Sequence, residues 1–196
     1  MISMDLIFKT TDQRGWAAAN TTLHSPGDFF DATLEADDWI RDVYIETSAH
    51  QIDRSKPLQI AAFLDLSQRF RYRPFALGGS PCWALRTGLW ALDEFVQSVL
   101  RYNENEYLSG QFRGVCVDIQ PSDLPDWQHH KEDILEQYAS NLEFMYHHLQ
   151  VYNAVRGTDV RLEVVMPHSL WQLDGPKIYQ KLSKACDSLL TVNYLD

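Results

Sequence analysis

Phe112-Arg113-Gly114-Val115-Cys116-Val117-Asp118-Ile119-Gln120-Pro121 is the stretch on which the fold reading turns. Its apolar run has the composition of a buried parallel strand. Side chains alternate along a strand, so Cys116, Asp118 and Gln120 share one face while Val115, Val117 and Ile119 share the other. The apolar face is expected to pack on helices and the polar face to look into the mouth of a barrel, at the strand end where barrel enzymes keep their chemistry. A glycosidase needs two carboxyl groups there, one to donate a proton and one to stabilise or attack the sugar cation. Asp118 supplies one of them. Gln120 supplies an amide, which has no carboxylic proton to give.

Working outward, six β-branched or aromatic runs read as strands: Asp5 to Thr10, Asp42 to Ser48, Arg73 to Gly78, Phe112 to Gln120, Val160 to Pro167 and Ser188 to Tyr194. Helical patterns separate most of them. The clearest runs from Lys131 to Val155, with Ile134, Tyr138, Leu142, Met145, Leu149 and Tyr152 spaced to form one inward stripe. Glu132, Asp133 and Glu136 near its start complement the positive end of the helix dipole. A second covers Leu89 to Tyr102, with Leu92, Phe95 or Val96, and Val99 inward. A third starts at Pro57, and a fourth begins after Pro176 with Ile178, Leu182 and Ala185 inward. Strand and helix in alternation predict an α/β chain with parallel strands and right-handed crossovers, as a doubly wound sheet or a barrel. No glycine-rich phosphate loop comes after any strand.

The chain has 196 residues, a length suited to one core, and no low-complexity run or linker divides it, so one domain over 1–196 is expected. Hydrophobic residues make up 45% and aromatic residues 12%, too apolar for disorder. A formal charge of -10 repels a phosphate backbone, and Arg69-Phe70-Arg71-Tyr72-Arg73 is too short a basic stretch to offset it, so no nucleic-acid partner is expected. No apolar run is long enough to span a bilayer, and Met1-Ile2-Ser3-Met4-Asp5 does not start a signal peptide. The expected location is cytoplasmic, without a membrane partner. Cys82, Cys116 and Cys186 are odd in number and far apart, which suits buried thiols in a reducing compartment.

Three ordered motifs carry a family likeness. They are Pro74-Phe75-Ala76-Leu77-Gly78-Gly79-Ser80-Pro81-Cys82-Trp83-Ala84-Leu85, a helix ending in Leu100-Arg101-Tyr102-Asn103, and Phe112 to Pro121 with Leu124-Pro125-Asp126-Trp127 after it. From about Phe29 to Asp196 the chain resembles a bacterial family of glycoside-hydrolase-like TIM barrels that is distantly similar to chitinases. The resemblance implies a (β/α) barrel, here incomplete, with about six parallel strands. Asp118 then matches the family's strand-four aspartate, and Gln120 stands where the family usually has glutamate. Arg113 stands where an aspartate is common, and Ser80 where an acidic residue usually comes after the second glycine. Asn193-Tyr194-Leu195-Asp196 resembles the end of a sixth strand whose Tyr contacts substrate. A full barrel of the usual ~250 residues would need about two more strand-helix units.

These features imply a barrel protein that acts on or binds a polysaccharide, with hydrolysis impaired at Gln120, or else a non-catalytic scaffold, a degenerate or split barrel that holds a partner chain. Glu46 is the candidate substitute acid, because Val43 and Ile45 face helices and leave Tyr44, Glu46 and Ser48 on the inner face. Asp123, in the loop after Gln120, is the next carboxylate. Trp83, Trp127 and Trp171 each lie just beyond a strand end and offer faces for stacking a sugar ring, and His168 and Tyr194 offer hydrogen bonds to it. No metal or other cofactor is expected, since neighbouring helical residues such as His129-His130 or His147-His148 diverge by about 100° and do not chelate one ion. Cysteine or serine nucleophiles lack their partner motifs. Open edge strands invite pairing, so a homo-oligomer, a partner chain, or cover of the edge by the segment from Gly15 to Asp31 is expected.

Overall fold

β-Branched and aromatic runs become strands here, and the apolar stripes spaced by three or four become the helices between them. The computed structural model describes residues 8–12, 15–17, 42–166 and 168–191. They form two compact units, one within Met1–Leu77 and Gln97–Arg113, the other within Gly78–Val96 and Gly114–Asp196.

The first unit holds strands β1 (Phe8–Asp12), β2 (Gly15–Ala17), β3 (Asp42–Glu46) and β4 (Arg73–Gly78, to Leu77). Strands β3 and β4 are parallel, with Tyr44 opposite Phe75 and their rings stacked at 5.4 Å between centroids. Their first pair is closed by the Arg73 guanidinium, which donates to both Asp42 carboxylate oxygens at 2.6 and 2.7 Å. A wide turn at Gln51–Ser55 leads into helix α1 (Pro57–Arg69), which opens on a proline whose missing N–H costs nothing in a first turn. Helix α1 buries Ile60, Ala61, Phe63 and Leu64. Helix α2 (Leu89–Asn103) gives its second half to this unit, burying Val99, Leu100 and Tyr102. Asn103 then ties the returning chain: its amide donates to the Phe112 carbonyl at 2.9 Å and its side-chain oxygen accepts the Phe112 N–H at 2.9 Å.

Strand β1 departs from the expected parallel arrangement. It pairs antiparallel with both β2 and β3. Asp12 pairs with Gly15, leaving two residues between the strands, a connection that antiparallel strands accept and parallel ones cannot. Among the described residues the parallel strands are therefore β3 and β4 in this unit and three more in the other, five where about six were expected. Residues 15–17 of the segment expected to cover a sheet edge do pair, on β1; its remainder lies outside the described residues.

The second unit is built on parallel strands β5 (Gly114–Asp118), β6 (Arg161–Met166) and β7 (Ser188–Thr191), with Cys116, Glu163 and Ser188 in register. Helix α3 (Trp127–Arg156) joins β5 to β6 and helix α4 (His168–Leu182) joins β6 to β7. Helix α3 turns at His130, whose φ of -133° and ψ of 30° are not helical, and stops at Gly157 in the left-handed region. Helix α4 starts well before Pro176, which lies inside it. The core is Val115, Val117, Ile119, Leu162, Val164, Val165 and Met166 with Ile134, Leu142, Met145 and Leu149 of α3. Tyr138 is fully buried in this unit, and its hydroxyl has no hydrogen-bond partner. Burial, then the negative charge of Asp118, pushes the Tyr138 hydroxyl up so that it stays protonated. Burial pushes the Cys186 thiol up to about 12, with Asp187 and Glu163 adding to it. Cys116 is also buried, whereas Cys82 is exposed.

The two left-handed glycines differ in what surrounds them. A methyl at Gly157 (φ +67°) meets nothing, whereas one at Gly110 (φ +75°) would lie 2.5 Å from the Leu64 Cβ. Gly157→Ala is expected to cost about 1–2 kcal/mol from the left-handed backbone alone, and Gly110→Ala more, in urea unfolding. Tyr138→Phe removes an unpaired buried hydroxyl and is expected to raise stability by roughly 1 kcal/mol. A lower unfolding midpoint for Tyr138→Phe would mean that the hydroxyl is satisfied in solution.

Candidate functional site

The site is assembled in the second unit from the end of β5 and the segment that opens with Gly79. Asp118 is the last residue of β5, and two residues on, Gln120 returns to the same side. The Gln120 amide Nε2 donates to Asp118 Oδ1 at 2.6 Å, and both side chains are half-buried. The Gln120 amide is thus engaged as a hydrogen-bond donor to the Asp118 carboxylate. A tight turn at Pro121–Asp123 comes next, leaving Asp123 exposed, and Trp127 opens α3 with only 4% of its surface exposed.

Gly79 lies directly against the end of β5. A Cβ placed on it would come within 1.8 Å of the Asp118 carbonyl oxygen, so no other residue fits without moving one of the two backbones. Beyond it, extended Ser80 leads into a short turn at Pro81–Ala84 that carries Trp83. The Trp83 ring is half-buried and lies 5.5 Å from Phe95 at an interplanar angle of 36°. Helix α3 fixes this segment from outside. Asn141, 3% exposed, donates from its amide nitrogen to the carbonyls of Trp83 and Leu85, each at 2.9 Å. One turn earlier the Gln137 side-chain oxygen accepts the Arg86 N–H at 3.0 Å. Gly88 is a second close approach, since a Cβ there would meet the Cys82 carbonyl at 2.0 Å.

Of the residues singled out in the sequence, Asp118 and Gln120 are brought together, with Asp123 in the next turn. Glu46 is exposed at the end of β3, in the first unit, beside Thr47, whose N–H donates to the Leu77 carbonyl at 2.9 Å. His168 and Trp171 belong to α4 by their backbone, but their side chains, and the whole of Tyr194, lie outside the described residues. The positioning roles of Asn141, Gln137 and Gly79 are not evident from the sequence. An asparagine inside a helix with poor propensity for it is the available signal for Asn141. Among the described residues no cluster of three or more His, Cys, Asp or Glu side chains is arranged to hold a metal ion. None of the described helices is long and apolar enough to cross a membrane.

No family model and no curated protein matches the chain in sequence. Among solved structures, a chitinase from Chromobacterium violaceum ATCC 12472 is similar, with a TM-score of 0.55 and 13% identity over 87% of this chain and 53% of the chitinase. The chain therefore spans about half the length of that protein. At this identity the likeness concerns the fold alone: a mixed α/β chain with parallel strands alternating with helices, arranged in the manner of part of a chitinase.

Proposed function

We propose that this chain is a glycoside-hydrolase-like protein, an incomplete (β/α) barrel, that binds a polysaccharide or amino-sugar polymer at the C-terminal end of β5 and is impaired in hydrolysing it. The observation that carries this reading is the 2.6 Å hydrogen bond from Gln120 Nε2 to Asp118 Oδ1. Hydrolysis by a pair of carboxyl groups needs one that arrives protonated and gives its proton to the leaving oxygen. An amide at that position keeps a carbonyl acceptor and an N–H donor, which recognise hydroxyl and acetamido groups, but has no acid to give.

In this reading Asp118 orients the sugar or stabilises positive charge on it, Gln120 bonds a substituent, and Trp83 presents an aromatic face to a pyranose ring. Asp123, His168, Trp171 and Tyr194 complete the proposed substrate contacts, whereas Trp127, 4% exposed, packs at the head of α3. The chitinase likeness supports the choice of an amino-sugar polymer as the first ligand to test.

The test combines binding and turnover on chitin oligosaccharides and a panel of neutral polysaccharides. The wild-type chain is expected to bind by calorimetry and to release no reducing sugar. Gln120→Glu is expected to gain hydrolysis by about a hundredfold over background, general acid catalysis being worth about that or more, and Asp118→Asn in that background is expected to abolish it. If Gln120→Glu gains nothing on a glycan that the wild type binds, the lost-acid account fails. If no glycan binds, a scaffold role that holds a partner chain takes its place.

A further inference from the structure

Helix α3 turns a line of polar side chains toward the segment that carries Trp83. Asp133, Gln137 and Asn141 follow one another at intervals of four residues, so they stand on successive turns and drift around the helix by only about 40° per step. The line runs beside the buried stripe of Ile134, Tyr138 and Leu142, along the rim of the core. Asp133 is exposed, Gln137 half-buried and Asn141 buried. Their hydrogen bonds form one directed set. Gln137 Nε2 donates to Asp133 Oδ2 at 2.8 Å, and an ionised carboxylate, which can only accept, takes the amide by its nitrogen end. That leaves the Gln137 oxygen for the Arg86 N–H at 3.0 Å. One turn on, Asn141 gives its amide hydrogens to the Trp83 and Leu85 carbonyls.

The backbone of Trp83 is restrained on several sides. Its N–H donates to the Ser80 carbonyl at 3.0 Å, its carbonyl accepts from Asn141, and a Cβ on Gly88 would come within 2.9 Å of its Cα. The ring leans on Phe95 and stays half-buried, so its plane depends on the backbone that carries it as well as on packing. We infer that Asp133, Gln137 and Asn141 are positioning residues that hold the Trp83 ring in the plane against which a sugar stacks. The inference rests on the reading of Trp83 as a sugar contact. A platform ordered in advance spares the ligand the entropy of ordering it, so loss of the restraint reads as lost affinity in a protein that is still folded. Asp133 acts through the orientation of the Gln137 amide, not on the ligand.

Exchanging the two ends of the Asp133–Gln137 bond tests this on the full chain. Gln137→Glu keeps an acceptor for the Arg86 N–H but sets a second carboxylate against Asp133, and is expected to weaken glycan binding by about fivefold, within the worth of one net hydrogen bond. Asp133→Asn added to it returns a donor to that bond and is expected to recover the wild-type affinity. Asn141→Asp, which places acceptors against two carbonyls, is expected to weaken binding further. Calorimetry on chitin oligosaccharides gives the affinities, and thermal unfolding checks that the variants fold; if Asn141→Asp does not, the exchange at the exposed end of the line carries the test. Trp83 emission, taken as the difference between each protein and its Trp83→Phe counterpart, is read without ligand. It is expected to shift in Gln137→Glu and to return in the double exchange. Unchanged emission and affinity in Gln137→Glu overturn the inference, and failure of the double exchange to recover either removes Asp133 from it. Absence of glycan binding by the wild type is instead a failure of the proposed function, and the unliganded emission still decides whether α3 positions Trp83.

Discussion

Two backbones touch where Gly79 meets the carbonyl of Asp118. With a Cβ there 1.8 Å from the carbonyl oxygen, this approach requires glycine, and it fixes how the end of β5 lies against the segment that precedes α2. The consequences run along that segment. Extended Ser80 and the turn at Pro81–Ala84 carry Trp83 outward from the same point, and the close approach of Gly88 to the Cys82 carbonyl folds the turn back on itself. The segment closes short turns of its own, from the Trp83, Leu85 and Gly88 N–H groups to the Ser80, Cys82 and Leu85 carbonyls, and carbonyls on so bent a chain have capacity for further partners. Asn141 donates to the Trp83 carbonyl and adds a second bond to that of Leu85. Its two amide hydrogens suit two carbonyls on a bent chain, which a hydroxyl with one hydrogen could not satisfy.

The chemistry of the pair at the end of β5 is then decided by one atom type. Were residue 120 an acid, two carboxyl groups this close would share a proton, because both cannot ionise together without strong repulsion. With an amide there, Asp118 accepts an N–H instead. The Gln120 amide therefore orders the Asp118 carboxylate. A site of that kind is preorganised for hydrogen bonding to a polar ligand, and ordering before binding spares the ligand the entropy of doing it.

Whatever depends on periodicity is legible in the sequence. Strands β3 to β7 and helices α1 to α3 fall where alternating or three-four apolar spacing puts them, because burial of one face is the dominant local signal. The sequence is silent where a short connection or a single contact decides. The β1–β2 hairpin turns on two residues, and β2 has only Gly15–Ala17 to show for itself. The start of α4 departs from its expected place because Pro176 reads as a first-turn residue although it sits inside the helix. At the site, Asp118 and Gln120 are readable from strand parity alone. Asn141 is not, since its partners lie more than fifty residues away and nothing local marks them. The 4% exposure of Trp127 likewise depends on packing at the head of α3 and not on its place after a strand.

Helix α3 explains why its periodicity is so easy to read on one side and so uninformative on the other. Its inward side buries Ile134, Tyr138, Leu142, Met145 and Leu149, while Asn141 on that side holds the Trp83 turn. An ordinary surface helix would spend the opposite side on charged residues. Here the opposite side does so with Glu136, Glu143 and His147, while one flank, about 100° from the inward side, carries Phe144, Val151 and Val155 exposed. The apolar character on two sides flattens the contrast that normally identifies a surface helix. A fold that needed α3 only as a cover for β5 and β6 would gain nothing from that second stripe. The side that decides the fold carries both the core contacts and Asn141, which holds the turn that bears Trp83.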